Sequence, residues 1–358
     1  MPGSFLLAYR TEVLISIQLW VYPCVKLAGE GLRRLWGGWP TVTRTALLRL
    51  PQMVLVMLGC TLLSFAVVNV LPGDIVHTIL GEGYNAQAAA ALRLKLGLDK
   101  PMIVQYLDWL GNALHGNFGN SLTTGQSVIG EIGQAAPPTL ELIVIAQVFG
   151  ILIAVIGATV AVVTRLRWLD ATITGIALAA NSMPPFIAGL LLLDLLSTKY
   201  HLVSSIGWVT TSSGGLGGNL QAIALPAFVL SLAVFPAYLR IFRGELKQQL
   251  DGEEYVVLAR LKGISTARLI GRHVTRNSLF GLLTVIGIST ANLFAATVII
   301  EQIFSIPGLG LLLFNSVTNH DSTTVLGCIS LIAVIIVAFN LLIDLSYAAL
   351  DPRVRDTR

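Results

Sequence analysis

The stretch LFGLLTVIGISTANLFAATVII, Leu279–Ile300, carries no charged side chain from end to end. A helix rises 1.5 Å per residue, so about 20 residues cross the ~30 Å hydrocarbon core of a bilayer. The segment is long enough and apolar enough to span one. It is flanked by a basic segment, YVVLARLKG (Tyr255–Gly263), and by the exit EQIFSIPGLG (Glu301–Gly310).

The rest of the chain follows the same pattern. Of 358 residues, 54% are hydrophobic and only 12% charged, and the mean hydropathy is +0.78. Soluble domains carry roughly 25% charged residues. Long apolar runs also occur at Met53–Leu71, Thr139–Val163, Ala171–Leu196, Ala222–Leu239 and Val325–Ile343, with Glu141 and Asp194 their only charged residues. None alternates apolar with polar, which argues against a transmembrane barrel. The composition therefore predicts an all-α membrane protein with six spans.

The basic residues set an orientation. With the segment before Met53 and alternate segments after it in one set, only Arg93, Lys95, Lys100 and Lys199 of the 23 Lys and Arg fall in the other. The positive-inside rule places the rich set, and with it both termini, in the cytoplasm. Anchoring to anionic lipid accounts for most of these charges. The densest cluster, Arg240 to Arg276, lies between the fourth and fifth runs.

Residues 1–43 stand apart. Val13–Leu27 is apolar but short, interrupted by Gln18 and Pro23, and lacks the small-residue cleavage site of a secretory signal. It reads as an interfacial amphipathic helix in preference to a seventh span. Pro72-Gly73-Asp74 stops the first run, and the segment to about Pro138 is the longest polar stretch. Within it, Asn85–Leu96, capped by Asn85 and closed by Gly97, reads as a helix, as does Pro101–Leu114. Such a segment is too small for its own core and is expected to cap the mouth of the bundle. Ser212–Asn219 is glycine-rich and reads as a flexible loop.

Ionisable groups at membrane depth are functional candidates by default. Glu141, Asp194 and Glu301 fall near the external ends of runs and Asp344 near a cytoplasmic end. Each reads as an interfacial carboxylate or a helix-end partner for an arginine. Asn181 and Asn292 are more central and are expected to hydrogen-bond between helices. Pro184-Pro185 should break the third run, and Pro226 and Pro236 should bend the fourth. Cys60 and Cys328 read as small apolar fillers, and Cys24 lies far from both. The histidines (His77, His115, His201, His273, His320) are scattered and make no metal-ligand spacing.

The basic cluster contains a helix–Gly–helix pattern. Asp251 with Glu254 resembles a capping arrangement. The helix it opens bears Tyr255, Leu258, Ala259 and Lys262 and meets Gly263, which accepts the left-handed conformation of a tight reversal. Ser265 can then cap a second short helix, Thr266–Val274. An elbow of this kind between two spans is a stiff lever with a protruding corner, the part a separate motor needs if it is to move a membrane channel. No Gly-rich loop ending in Gly-Lys-Ser/Thr is present, so the chain does not cradle ATP itself. An ion-coupled secondary transporter would show inverted repeats and buried carboxylates. A membrane enzyme would need a convergent catalytic set. Neither pattern is evident.

These landmarks, in order, resemble the membrane permease subunits of binding-protein-dependent ABC importers, in the dipeptide, oligopeptide and nickel class. The resemblance runs from about Arg44 to Asp356. It rests on Leu71-Pro72-Gly73-Asp74, on Leu96-Gly97-Leu98-Asp99-Lys100-Pro101 and on HGNFGNS at His115–Ser121. It continues through Leu225-Pro226 with Leu230-Ser231-Leu232, then Arg240 and Arg243. The Ile300–Gly310 exit and Asp344–Tyr347 with Asp351-Pro352-Arg353 complete it. In that family the loop that docks on the ATPase has the form Glu-Ala-Ala, three further residues, then Gly. Val257, Leu258, Ala259 and Gly263 hold those places here. The second Ala and the Gly match, the Glu is absent, and the usual later proline falls at Asn277.

The resemblance implies six transmembrane helices of the type I ABC importer permease fold, plus an N-terminal extension, in a bacterial inner membrane. It divides the chain into an extension (1–43), a first transmembrane helix with an external segment (44–136), a core permease domain (137–350) with a coupling loop at 240–278, and a cytoplasmic tail (351–358). It implies a non-catalytic subunit forming half the pathway of an ATP-driven importer of dipeptides or oligopeptides, coupled through the 251–277 loop. Nickel or another small solute is the alternative cargo. The implied partners are a second homologous permease, two ATP-binding subunits, an external solute-binding protein and membrane lipid, with no nucleic acid. ATP and Mg would sit on the partner subunits, leaving this chain without a cofactor. Tyr255, Leu258, Ala259, Arg260 and Gly263 are the candidate ATPase-coupling residues. No catalytic, metal-binding or solute-binding residue is assigned.

Overall fold

A backbone surrounded by lipid must satisfy its own hydrogen bonds, and uncharged runs of this length do so as helices. The computed structural model describes residues 41–70, 76, 80, 85–97, 99–164, 166–201, 207–209, 211–264 and 266–350. The expected interfacial helix at Val13–Leu27, the Pro72-Gly73-Asp74 stop and the 351–358 tail lie outside these residues. The described elements are helical, apart from an isolated bridge between Asn120 and Ser127.

In order they are α1 (Thr41–Val70), α2 (Ala86–Leu96), α3 (Met102–Leu114), α4 (Val128–Thr164), α5 (Arg167–Ser182) and α6 (Pro185–Leu193), which continues as a π-helical turn, Asp194–Lys199. Next come α7 (Thr211–Ser231), α8 (Phe235–Gly252), α9 (Glu254–Leu261) and α10 (Thr266–Leu269). The chain then runs through a π-helical turn (Ile270–Val274) into α11 (Thr275–Phe304), followed by α12 (Leu309–Thr318) and α13 (Ser322–Leu350). It divides into two compact units, residues 1–59 with 340–358, and residues 60–339. The contacts described below all lie within the second.

Segments of α1, α4, α11 and α13 are each long and apolar enough to cross a membrane. The pairs α5–α6 and α7–α8 reach that length as bent spans, turned by 99° and 62°, and counting each as one span gives six. The first bend falls at Pro184-Pro185 as expected, with Pro185 opening α6. The second does not fall at Pro226, which sits inside α7. It is made by tight turns at Leu232, Ala233 and Val234, whose amides reach back three residues, and Pro236 then sits in the first turn of α8.

Two other expectations change. The second span does not start after Pro137-Pro138, because α4 begins at Val128 and passes through both prolines. Pro138 and Thr139 are buried, so packing on either side outweighs the backbone bonds the prolines forfeit. Ser212–Asn219 is not a loop either. It is helical with one kink at Gly215 (φ 65, ψ 177). Asn219 is buried there and donates to Glu141 Oε2 at 3.2 Å and to the Val209 carbonyl at 2.9 Å.

The second unit is built around α4, which packs on α5, α7, α8, α11 and α12. Gly150 and Gly157 let α8 approach closely. A Cβ at Gly150 would sit 3.0 Å from Val234 Cγ2, and one at Gly157 3.0 Å from Leu239 Cδ1. The amide that ties helices together at mid-bundle is Gln147. It accepts from Tyr238 Oη at 2.6 Å and donates to Thr290 Oγ1 at 3.2 Å, joining α4, α8 and α11. Asn181 and Asn292, expected in that role, are exposed on this chain instead. Helix phase decides it, since each falls on an outward stripe of its own helix. Cys328 is indeed a buried filler, packed with Val128, Ile132, Ala135 and Leu309.

One end of the bundle is closed by two buried carboxylates. Glu301, near the end of α11, is fully buried, where the sequence suggested an interfacial group or an arginine's partner. Its Oε1 accepts from Thr139 Oγ1 at 2.6 Å, and its Oε2 from the Leu311 amide at 2.9 Å, with the Gly310 amide alongside. Thr139 Oγ1 in turn accepts from the Leu309 amide at 2.7 Å. The amides at the start of α12 have no intrahelical partner, and a carboxylate there also meets the positive end of the helix dipole. This explains the Ile-Pro-Gly-Leu-Gly exit. A Cβ on Gly308 would overlap the Glu301 carboxylate, and one on Gly310 would lie 2.7 Å from Val298 Cα.

The second carboxylate, Asp321, caps α13. It accepts from the Thr324 amide at 3.1 Å and Thr324 Oγ1 at 2.9 Å, and it reaches across to Ser121 Oγ at 2.5 Å and the Leu122 amide at 3.1 Å. The HGNFGNS motif is thus anchored to the start of α13.

Replacing Gly310 with alanine should destabilise the protein by about 1–3 kcal/mol through overpacking. Gly133→Ala, where no atom lies within 4 Å of the added carbon, should be neutral or slightly stabilising. Thermal unfolding of the two variants in detergent measures the contrast.

Candidate coupling site

The elbow begins where α8 ends. Asp251 and Gly252 still belong to α8, and Glu253, in extended conformation (φ −98, ψ 128), separates it from α9. Asp251 therefore does not cap α9, because its own backbone is still helical. The Glu253 carbonyl accepts the first bond of α9 instead, from the Val256 amide at 3.1 Å.

Gly263 ends α9 in the left-handed region, with φ +75. The Ile264 amide returns to the Ala259 carbonyl at 3.1 Å, closing the six-residue ring of a glycine-terminated helix. Beyond it the chain does not form a separate short helix. The α10 segment and its π-helical turn are continuous with α11, with Leu269, Val274 and Thr275 all in right-handed helical conformation. The corner is thus mounted directly on a spanning helix. The expected cap at Ser265 lies outside the described residues.

The structure brings the expected residues onto this corner in different environments. Tyr255 is half-buried and donates its hydroxyl to Gln249 Oε1 at 2.8 Å, tying α9 back to α8. Ala259 is half-buried, and Gly263 and Leu258 are exposed, Leu258 at 57%. Arg260 belongs to α9, but its side chain lies outside what the structure describes. Val256 is fully buried and fastens α9 to the bundle.

Two residues that sequence reasoning passed over share the outer face. Val257 is 56% exposed and Leu261 79% exposed. With Leu258 they stand three and four residues apart, hence on one side of the helix. That spacing in a run otherwise rich in charge was the available signal. Together the three form a compact apolar face on a polar corner.

Comparison with known proteins places most of the chain. Residues 147–356 match the family described as binding-protein-dependent transport system inner membrane component, and residues 42–143 match the N-terminal region of such membrane components. The chain belongs to that family. It is 34% identical over 330 residues to the di/tripeptide transport system permease protein of Pseudomonas aeruginosa, covering 87% of this chain and 98% of that one. It is 35% identical over 330 residues to the dipeptide transport system permease protein of Escherichia coli strain K12, covering 86% and 97%.

In this inner-membrane component the elbow is backed by an ion pair. Asp170, in the first turn of α5, receives two parallel bonds from Arg243 of α8, from Nε to Oδ1 at 2.6 Å and from Nη2 to Oδ2 at 2.5 Å. Lys247, one turn further along α8, adds a contact to Oδ2 at 3.2 Å. The paired geometry locks α5 to the α8 segment that leads into the elbow. A cleft of about 380 Å³, lined by Arg167, Lys247, Asp170 and Asp251 over Ala161 and Val162, opens beside it. Lys247 is more exposed than Arg243 and its contact is longer, so Arg243 carries most of the bond. A double-mutant cycle with Asp170→Asn and Arg243→Gln should return a coupling of about 1–2 kcal/mol in unfolding free energy. The same cycle with Lys247→Gln should return clearly less.

Proposed function

We propose that this chain is a non-catalytic permease subunit, forming half of the translocation pathway of an ATP-driven importer of dipeptides or oligopeptides. The single observation that carries the reading is the elbow: an exposed Val257, Leu258 and Leu261 face, closed by Gly263, in a corner whose other arm, α10, runs on into α11. A motor that binds this face bears on a corner whose other arm is part of a spanning helix. The peptide cargo is supported by the named activities of the Pseudomonas and Escherichia relatives. Nothing in those names favours nickel.

In this reading both termini and the elbow face the cytoplasm, as the distribution of Lys and Arg argues. A second homologous permease completes the pathway, two ATP-binding subunits dock on the elbows, and a solute-binding protein delivers cargo from outside. ATP and Mg belong to the ATP-binding subunits, and this chain holds no cofactor. The extension (1–43), the first helix with its external segment (44–136), the core (137–350) and the tail (351–358) are its working divisions. Each elbow then transmits closure of the motor as a rigid body, switching the pathway between two access states.

Purification of the assembled complex, with ATPase activity measured against peptides delivered by the binding protein, tests the reading. Stimulation by peptides supports it. A solitary chain that exchanges solute without ATP overturns it. Leu258→Asp with Leu261→Asp should remove the ATP-binding subunits from the purified complex while leaving the permease folded, because a buried unpaired carboxylate costs several kcal/mol at an interface. Gly263→Val should leave the subunits bound more weakly and uncouple peptide uptake from hydrolysis, since a β-branched residue resists φ > 0.

A further inference from the structure

The polar segment between the first two spans was expected to cap the mouth of the bundle, but α3 lies alongside the spans instead. Tyr106, on its inner face, is buried with Phe65 of α1 and Leu326 of α13. The rings of Phe65 and Tyr106 meet edge to face at 5.6 Å, and Trp109 stacks on Tyr106 at 6.1 Å. Tyr106 Oη and Thr61 Oγ1 share a hydrogen bond of 3.0 Å.

These contacts give a depth. Thr61 lies nine residues before the end of α1 at Val70, or about 13 Å along the helix axis. Leu326 lies four residues past the start of α13, about 6 Å along it. Half the hydrocarbon core is about 15 Å thick, so helix ends set at its boundary put the inner face of α3 at acyl-chain depth.

The other faces of α3 fall in a consistent order around the helix, taking about 100° per residue. Next to the packed face of Tyr106, Trp109 and Ala113 comes an apolar stripe of Ile103, Leu107 and Leu114, exposed at 71%, 57% and 78%. Opposite that stripe lie Gln105, Asp108 and Asn112. Asp108 pairs with Lys100 at 2.6 Å, each side chain 53% exposed. A helix lying in the plane of a membrane beside a bundle meets protein, hydrocarbon and water on successive sides. Leu62, Leu63 and Val67 of α1 are exposed as well, in a segment apolar enough to span.

We propose that α3 is an in-plane helix embedded in the leaflet at the Asp321 end of the bundle, with Ile103, Leu107 and Leu114 immersed in lipid acyl chains. In the orientation proposed above this is the outer leaflet. The inference requires only that α1 and α13 span the membrane, and it is independent of cargo. It removes the apolar face of α3 from the surface open to an external binding protein and leaves the Asp108 side facing water.

Spin labels on the full-length chain in lipid nanodiscs test this, with Cys24 and Cys60 replaced by alanine and the buried Cys328 retained. Labels at Ile103→Cys, Leu107→Cys and Leu114→Cys should be relaxed by oxygen and show a loss of relaxation by a water-soluble nickel chelate. Labels at Asp108→Cys and Asn112→Cys should show the reverse. Equal chelate relaxation at all five positions overturns the proposal. So does chelate access at positions 103, 107 and 114 that disappears only when the solute-binding protein is added, which would make the stripe a protein-docking face.

Discussion

The constraint on which this structure turns is the buried carboxylate of Glu301. A carboxylate cut off from water is tolerated only where donors surround it. Here the donors are one hydroxyl from α4 and the free amides at the start of α12. Meeting that demand brings α4, α11 and α12 together at one point. It also requires two positions without side chains, Gly308 and Gly310, where the chain folds back over the carboxylate. Asp321 repeats the device a short distance along the chain, capping α13 and holding the loop after α3.

The two ends of α11 are thereby set to different tasks. Its last turn is fixed by Glu301 to the rest of the bundle. Its first turn is continuous, through a π-helical turn, with α10, the arm of the elbow beyond Gly263. Thirty residues of helix, about 45 Å, join them. Between the ends, Gln147, Tyr238 and Thr290 tie α11 to α4 and α8. The Asp170–Arg243 pair steadies the other arm of the elbow. Contacts therefore hold the chain on both sides of the corner.

Much of this was legible in the residues. Charge-free runs of span length specify helices whatever their neighbours do, because the backbone in lipid has no other partner. Pro184-Pro185 marked its break correctly, in a stretch exposed from Asn181 to Pro184 and so without the burial that carries α4 through Pro137-Pro138. Gly263 announced a left-handed residue. Pro226 and Pro137-Pro138 misled for one reason: a proline's cost is local and modest, and burial on both sides overrides it. Asn181 and Asn292 were assigned inward by depth alone, while facing is set by helix phase. Val257 and Leu261 were passed over because lone apolar residues in a basic loop gain meaning only once seen on one exposed face.

The sequence by itself determined that this is a helical membrane protein of six spans, and its ordered landmarks determined the family. Those properties are additive along the chain, read from length, hydropathy and short motifs. Tertiary structure alone decided that Glu301 is a buried clamp and not an interfacial charge, and that α3 packs through Tyr106 on α1 and α13. It alone decided that the second arm of the elbow is the spanning helix itself. Each depends on which distant residues share a site: Thr139 with Glu301, Thr61 with Tyr106, Ser121 with Asp321. Such pairings are set by how helices rotate and stack, which no local pattern encodes.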